Sequence, residues 1–495
     1  MKILMLNPPF VRNYSRNSRS PSVTKAGTIY YPIWLSYATG VLENEGFEVK
    51  LVDGPAQKLV LGDVIKITKE FAPEMIVVDT STPSIYNDVK VAAKLKKTTG
   101  AFVVLVGTHV SALPKETLKL DKNIDAVTIH EYDYTLPELA RSIEEKKDLK
   151  NVKGIAFRGK RGKIFVNQPR EMIENLDELP FASAVYKKHL NIRDYFYSSA
   201  NYPMVMIITG RGCPFRCFWC NWPQVFHGHK YRLRSAENVV EEFEYIVENL
   251  PEVKEIAIED DTLTADIDRV RKICNLLIEK GINKKIKWYA NVRVTLDLKT
   301  MKLMKKAGCR LIIPGYESGV QELLNNAHKG ITIEQSREFA KNAKKADLLV
   351  HGCFIIGLPR ETKETARATI NFAKELDPDD AQFFPLILYP GTEAYDWAKK
   401  NQYLLTEDFS RWNTREGWFN CLISRPGLTN TEILDLCNQA KIEFYLRPKY
   451  FLKVLRMMLS SWTEAIRVIK ASRIFVKYLF KIILDKAGLV KKKAK

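Results

Sequence analysis

Along most of the chain, short apolar runs alternate with longer amphipathic stretches. Within residues 1–140, five such runs are separated by stretches of helical periodicity, which predicts a Rossmann-like, doubly wound parallel sheet. The predicted strands are 2–6, 48–52, 75–79, 102–107 and 126–129. Because ligands bind beyond the carboxyl ends of such strands, the small and polar residues there, which include Ser81, Thr82 and Gly107, are expected to bind a cofactor.

A second series of alternating strands and helices occupies residues 201–400. Its six predicted strands are 205–209, 255–258, 287–290, 311–314, 349–356 and 381–388. Six βα units are enough for a partial barrel and too few for a closed barrel of eight. Residues 141–200, with a predicted hairpin at 154–162, are assigned to a connector, and residues 401–495 to a C-terminal helical region. The predicted fold class is therefore α/β, with a sheet domain, a partial (β/α)6 barrel and a helical tail.

The length of 495 residues predicts two or three domains. The net charge is +19, but residues 441–495 hold fifteen Lys or Arg against three acidic residues, a net of +12, which leaves +7 for the rest. That remainder shows no basic stripe interleaved with aromatic residues, so no nucleic-acid partner is expected. Scattered cysteines and an N-terminus without a signal-peptide pattern indicate a cytoplasmic protein.

The basic tail indicates a further partner for this cytoplasmic protein, because its basic and apolar residues fall on opposite sides of a predicted helix over 467–483. A basic amphipathic helix of this kind can lie in the surface of an anionic bilayer, which predicts peripheral association with the inner membrane surface. A helix packed on the barrel with a solvated basic face is the alternative. No run of 18 or more uncharged apolar residues occurs, so no transmembrane span is predicted.

One tight group of cysteines stands out. Cys213, Cys217 and Cys220 follow the first predicted barrel strand, separated by three residues and then by two. Three thiolates on one loop can each bind one iron of a cubane cluster, which leaves one iron open to a substrate. A zinc site completed by His227 or His229 is the alternative, and the chain would then be a zinc-stabilised, non-catalytic binding protein.

This spacing, with Trp219 directly before the third cysteine, resembles the signature of the radical S-adenosylmethionine (SAM) superfamily. The resemblance implies an enzyme in which the three cysteines hold a [4Fe-4S] cluster that cleaves SAM reductively, with flavodoxin or ferredoxin as a typical electron donor. Segments in the order that the superfamily predicts follow this loop. The residues implied to bind SAM are Trp219, Glu259 and Asp260 (ammonium), Asn291 and Arg293 (ribose and carboxylate), Glu317 (fourth strand end) and Gly357 (adenine).

A Rossmann-like sheet before such a barrel resembles the cobalamin-binding subgroup of this superfamily, which implies cobalamin as a further cofactor. The familiar Asp-x-His-x-x-Gly motif is absent, since Asp53 is followed by Gly54 and Pro55. Cobalt would therefore lack a histidine ligand from this segment. His109 and His130 also follow predicted strands, but a single histidine there is more often a hydrogen-bonding residue than a cobalt ligand.

Segments 31–35, 81–84, 87–91, 220–224 and 228–232 resemble radical SAM enzymes associated with hopanoid biosynthesis. This resemblance implies an enzyme that functionalises an unactivated carbon of a lipid or isoprenoid-linked, hopanoid-like substrate by rearrangement or cyclisation. A cobalamin-dependent C-methyltransferase is the alternative within the same chemistry.

Overall fold

The computed structural model describes residues 1–460 together with residues 462, 465, 466, 468 and 469. Seven strands form its N-terminal sheet: β1 (Lys2–Asn7), β2 (Glu48–Asp53), β3 (Met75–Asp79), β4 (Phe102–Val106), β5 (Ala126–Thr128), β6 (Ile155–Arg158) and β7 (Ile164–Val166). Their spatial order is β2-β1-β3-β4-β5-β6-β7. The first five run parallel, as predicted, and the β6–β7 hairpin of the predicted connector extends the same sheet with two antiparallel strands.

Helices cover both faces of this sheet, which explains why its central strands are continuously apolar. They are α1 (Ile33–Asn44), α2 (Gly54–Gln57), α3 (Leu61–Phe71), α4 (Ile85–Thr99), α5 (Thr108–Ala112), α6 (Pro114–Leu120), α7 (Thr135–Glu144) and α8 (Ala182–His189). Alternate residues of β3 point to the two faces. Ile76 and Val78 belong to a small core under α3 and α4, whereas Met75 and Val77 belong to a core that continues into the second domain.

The second domain is the predicted partial barrel. Its strands are β8 (Met204–Ile207), β11 (Glu255–Ile258), β12 (Lys287–Val292), β13 (Cys309–Glu317), β14 (Leu349–Ile356) and β15 (Asp380–Pro385), and a two-strand ribbon, β9 (Gly210–Arg211) and β10 (Arg232–Leu233), follows β8. The six barrel strands are parallel and lie in the order β15-β14-β13-β12-β11-β8. The two end strands of this order are not paired with each other, so the barrel is open.

The remaining helices surround the barrel or follow it. They are α9 (Ala236–Asn249), α10 (Ile267–Glu279), α11 (Leu298–Lys306), α12 (Gln321–Asn326), α13 (Ile333–Lys345), α14 (Lys363–Leu376), α15 (Glu393–Lys400), α16 (Asn430–Tyr445) and α17 (Pro448–Ser460). The basic helix predicted over 467–483 lies outside the described residues, apart from residues 468 and 469. Among the described residues, no helix is long and apolar enough to span a bilayer.

Buried charged residues join the sheet to the barrel. After β5, Asp133 accepts two hydrogen bonds from the guanidinium of Arg211, at 2.7 and 3.0 Å, and Glu131 accepts bonds from Arg232 and from His227 Nδ1. Burial alone would raise the pKa of Glu131, but the hydrogen bonds from His227 and Arg232 lower it below its ordinary value. Because removing one partner of a buried pair leaves an uncompensated charge, these contacts hold the two domains in one arrangement.

Candidate cofactor site between the sheet and the barrel

The loop with the three cysteines begins directly after β9 and ends at a π-helical turn, Trp222–His227. Gly212 has a φ of +84°, and a Cβ there would overlap the carbonyl oxygen of Lys230, so this tight entry requires glycine. Cys213 N donates to Gly228 O at 3.3 Å. The thiols of Cys213, Cys217 and Cys220 are each half-buried and none is in a disulfide.

Gln224 holds the cysteine loop from behind. Its Nε2 lies 3.1 Å from Cys217 O, 3.3 Å from Phe218 O and 3.0 Å from Cys220 O, while its Oε1 accepts from Glu393 N at 2.9 Å. The two N–H groups of this side chain are shared among three loop carbonyls, and its oxygen ties the loop to the first turn of α15. Gln224 is not among the site residues predicted from the sequence. A polar residue in the turn that follows a cysteine loop is the only signal that pointed to it.

The donor set around the cysteines suits a cluster better than a single metal ion. Among the described residues, no group of three His, Cys, Asp or Glu side chains is arranged to hold one ion, whereas in a cubane each thiolate binds its own iron. His227 Nδ1 is bonded to Glu131, and His229 Nδ1 lies 3.1 Å from Cys213 O. Among the described residues, neither histidine forms with the cysteines a group that could hold the single ion of the zinc alternative.

The carboxylates of Glu259 and Asp260, predicted to bind the ammonium of SAM, already have partners. Glu259 accepts hydrogen bonds from Arg19 Nη1 at 3.0 Å and from Asn291 Nδ2 at 3.2 Å. Asp260 accepts from the backbone N and the hydroxyl of Thr209, at 2.6 and 2.5 Å. Glu259 and Asn291 are thus in contact, while Asp260 points to Thr209, after the end of β8.

The next two residues of the same run lack such partners. Asp261 Oδ1 and Thr262 Oγ1 are buried and make no hydrogen bond with the described residues. Burial, and after it the negative charge of Asp261, raises the pKa of the Cys213 thiol to about 11, and the same two causes raise the pKa of Cys220. Unsatisfied acceptors beside thiols of raised pKa fit a cationic ligand and a metal cluster, because both offset the local excess of negative charge.

Trp219, Arg293 and Glu317 meet on the other side of the cysteine loop. Arg293 lies over the ring of Phe215, 3.4 Å from its centroid, and donates to Lys329 O at 2.7 Å. Lys329 Nζ pairs with Glu317 at 2.7 Å and lies 5.8 Å from the Trp219 ring. Burial lowers the pKa of Arg293. Burial alone would also lower the pKa of Lys329, but the charges of Glu317 and Cys217 and the hydrogen bond to Glu317 together raise it.

Gly357 lies apart from these residues, at the end of β14. Its N–H and that of Leu358 donate to Glu361 Oε2, and its nearest neighbours are Ile433 and Leu386. Burial raises the pKa of Glu361 to about 7. Gly357 thus lies in a small apolar corner between the barrel and α16, an environment that suits a flat, uncharged ring.

Ser81, Thr82 and Gly107 lie at the carboxyl edge of the sheet. Ser81 Oγ bonds Tyr14 OH at 2.9 Å, and Thr82 Oγ1 lies 3.1 Å from His109 Nδ1. Gly107 has a φ of +115°, and a Cβ there would lie 2.7 Å from Thr80 O. This position therefore requires glycine, because the chain packs directly against the backbone of Thr80.

A narrow cavity separates this edge from the cysteine loop. Its walls are Asp79, Thr80, Gly107 and Thr108 from the sheet, Asn221, Trp222 and Phe226 from the turn after the cysteines, and Arg16, Asn17, Ser18, Pro21 and Trp34 from the segment between β1 and α1. Of the predicted cofactor residues, Gly107 lines this cavity, whereas the cysteines and the predicted SAM residues do not. Small and polar groups form one wall and aromatic rings the other.

The histidines near this cavity are engaged elsewhere. Burial lowers the pKa of His109 to about 3, so its ring is neutral, and it packs against Phe409 at 4.8 Å. His130 Nδ1 lies 2.9 Å from Val225 O. Asp53 caps α2 and bonds Asn7 and Tyr195. Asp53 and both histidines therefore have structural partners, which agrees with the missing histidine motif.

Two family models match the chain: the Radical SAM superfamily over residues 207–373 and the B12 binding domain over residues 19–140. The uncharacterized methyltransferase PH0819 of Pyrococcus horikoshii is 35% identical over 456 residues, which cover 92% of this chain and 94% of that protein. The anaerobic magnesium-protoporphyrin IX monomethyl ester cyclase of Cereibacter sphaeroides is 26% identical, over 91% of this chain and 71% of that protein.

The same architecture is found in a solved structure. The radical S-adenosylmethionine methyltransferase TsrM of Kitasatospora setae, with cobalamin and a [4Fe-4S] cluster bound, matches with a TM-score of 0.69 at 18% identity, over 90% of this chain and 89% of that chain. This likeness confirms the predicted fold. Together with the two family matches and the 35% identical relative, it shows that the chain belongs to the cobalamin-binding subgroup of the radical SAM superfamily, an enzyme with a [4Fe-4S] cluster, SAM and cobalamin as cofactors.

Proposed function

We propose that this enzyme is a cobalamin-dependent C-methyltransferase. The observation that carries the proposal is that the sheet edge and the turn directly after the cysteines line one narrow cavity, because a methyl donor and a radical-forming site must act on one substrate carbon. The methyltransferase name of the 35% identical relative supports methyl transfer over the expected rearrangement or cyclisation, which has a cyclase at 26% identity in its favour.

The bound cofactors supply the chemistry: the cluster and SAM generate a radical that removes hydrogen from an unactivated carbon, and cobalamin supplies a transferable methyl group. The protein's own residues hold and orient these groups. In this proposal Cys213, Cys217 and Cys220 bind three irons. Gln224 keeps their loop in one conformation through its three carbonyl contacts. The Glu317–Lys329 pair beside Trp219 supports the loop from the opposite side.

Within this proposal, Asp261 rather than Asp260 accepts the ammonium of SAM. The Asp260 carboxylate is filled by Thr209, whereas Asp261 has a buried oxygen without a partner next to the cysteines. Glu259 then positions Arg19 and Asn291. The predicted roles of Arg293 at the carboxylate, Gly357 at the adenine, and Ser81, Thr82 and Gly107 at cobalamin remain part of the proposal.

A hopanoid-like lipid remains the proposed substrate class. The proposed electron donor is a small redox protein such as flavodoxin or ferredoxin. The proposed location of the enzyme is the cytoplasm. An electron donor is required because SAM is cleaved reductively in this superfamily.

Isotope transfer tests methyl transfer before the substrate is known. Anaerobic holoenzyme is incubated with reductant and SAM that carries a trideuterated methyl group, and the protein-bound cobalamin is analysed by mass spectrometry. We expect the label in the cobalamin methyl group, and SAM deuterated on its ribose serves as the control for carry-over. Release of 5′-deoxyadenosine without label in cobalamin would instead support rearrangement or cyclisation.

A further inference from the structure

Helix α17 presents a continuous apolar stripe to solvent. Its members are Phe451, Leu452, Leu455 and Leu459 of the helix and Trp462, two residues after its end, and all five are between 54% and 80% exposed. Spacings of one, three, four and three residues place them within about 100° of one helical face. Surfaces of soluble proteins carry single exposed apolar residues routinely, but a stripe of five large ones marks an interaction site.

The opposite side of α17 fixes the direction of the stripe. Tyr450 packs against the rings of Phe444 and Tyr445 on α16, at 5.8 and 5.0 Å. Lys449 pairs with Asp377 at 2.8 Å, and Lys453 pairs with Asp379 at 3.2 Å. Because aromatic packing and ion pairs hold the helix on the barrel, its apolar stripe points away from the protein, and none of the described residues packs over it.

The charge around the stripe indicates its partner. Arg456 is exposed beside it, and the 35 residues that follow Ser460 contain ten Lys or Arg against two acidic residues. A second copy of this chain carries the same net charge of +19, which opposes a symmetric dimer through this stripe. An anionic surface attracts these basic residues, and Trp, Phe and Leu beside basic residues are the side chains that interfacial helices insert among lipid headgroups.

We propose that the stripe of α17 docks the enzyme on an anionic lipid bilayer, with the helix axis parallel to the membrane plane. This proposal differs from the predicted helix over 467–483, because it places the insertion in residues 451–462. It goes beyond the proposed function and does not depend on it, since vesicle binding is measured without turnover.

Vesicle flotation tests the proposal with the full-length holoprotein. The probes are vesicles of phosphatidylcholine with 30% phosphatidylglycerol and vesicles of phosphatidylcholine alone. We expect the wild type to float with the anionic vesicles, and the double variant L455E/L459E to bind them at least tenfold less. The matched control is V60E/L120E, which adds the same two charges at exposed apolar positions of the N-terminal domain and should bind like the wild type.

Equal binding of L455E/L459E and the wild type would mean that the basic tail binds alone and would overturn the proposal. Failure of the wild type to bind vesicles would also overturn the proposal. In that case the stripe would be covered by the chain's own last residues or by a second copy of the chain. A dimer that L455E/L459E dissociates would identify the second copy. If the double variant does not retain its cluster, quenching of tryptophan fluorescence by brominated lipid decides instead. The quenching should fall in Trp462→Phe, and an unchanged signal would overturn the proposal.

Discussion

The carboxyl edge of the sheet and the carboxyl edge of the barrel are built in opposite ways. At the sheet edge the buried carboxylates have partners: Asp88 pairs with Arg16 at 2.7 Å, and Asp79 accepts from Asn17 at 2.9 Å. At the barrel edge, Asp261 keeps a buried oxygen without a partner among the described residues, and the cysteines are half-buried thiols. The barrel edge therefore holds acceptors and thiols that the protein leaves unsatisfied, whereas the carboxylates of the sheet edge are satisfied by the protein's own side chains.

The largest difference between the two edges is expected when one cysteine thiol of the barrel edge is replaced. In Cys217→Ala we expect iron and acid-labile sulfide to fall at least tenfold, because two thiolates do not hold a cubane cluster, while bound cobalamin stays near the wild-type amount. Metal analysis and the corrinoid absorption spectrum measure both. Cys353→Ala, which removes another half-buried thiol, should keep its iron. Normal iron content in Cys217→Ala would refute the assignment of the cluster ligands.

The next largest effect is expected at the junction of the two domains, the buried pair of Asp133 and Arg211. Asp133→Ala leaves the Arg211 guanidinium buried without its main partner, which should lower the free energy of unfolding by about 3 to 5 kcal/mol. Urea denaturation of the holoprotein measures it. Glu174→Ala removes the exposed partner of Lys230 and should cost about 1 kcal/mol or less. Equal losses in the two variants would show that the junction does not hold the domains together.

Asp261→Asn tests whether the unpaired acceptor binds the cofactor. If Asp261 accepts the ammonium of SAM, loss of a charge-assisted bond of about 1.5 to 3 kcal/mol should weaken SAM binding by about 10- to 150-fold. Anaerobic equilibrium dialysis measures the Kd, with iron content as a check on the cluster. Asp268→Asn, an exposed carboxylate on α10, is the control. If Glu259→Gln weakened SAM binding strongly and Asp261→Asn did not, Glu259 would be the acceptor of the ammonium group.

The smallest effect concerns the protonation of the sheet edge. Burial raises the pKa of Asp79 to about 7, above its unfolded value of roughly 3.9. The folded protein therefore binds a proton that the unfolded chain releases, and stability falls as the pH rises from about 4 to about 7. Asp79→Asn removes this term, so the Tm of the variant minus that of the wild type should increase between pH 5 and pH 8. A difference independent of pH, as expected for Asp268→Asn, would contradict it.

The strands were largely predictable, because each is a short apolar run between polar turns. The structure has β3, β11 and β14 at the predicted residues, whereas β13 is longer than predicted. Pro314 and Gly315 interrupt its apolar pattern, yet both pair with neighbouring strands. The pattern also predicted the hairpin of residues 154–162, but not that it would join the sheet, since pairing partners depend on the tertiary arrangement.

The cysteine loop stood out by its local spacing, whereas the contacts around it could not be predicted. Arg19 and Glu259 are in contact although 240 positions separate them in the sequence, and no local pattern predicts such a contact. Asp261 stood in the same acidic run as Glu259 and Asp260. Only the alternation of side chains at the end of β11, which directs Asp260 to Thr209, distinguishes the three carboxylates.

Arg211, bonded to Asp133, lies two residues before Cys213 on the same chain segment. Any rotation of the sheet domain is therefore transmitted to the first cysteine rather than absorbed by a hinge. One consequence concerns the exchange of modules between relatives. An N-terminal domain grafted from another enzyme would have to bring carboxylates that match Arg211 and Arg232, so the two halves are expected to be inherited as one unit.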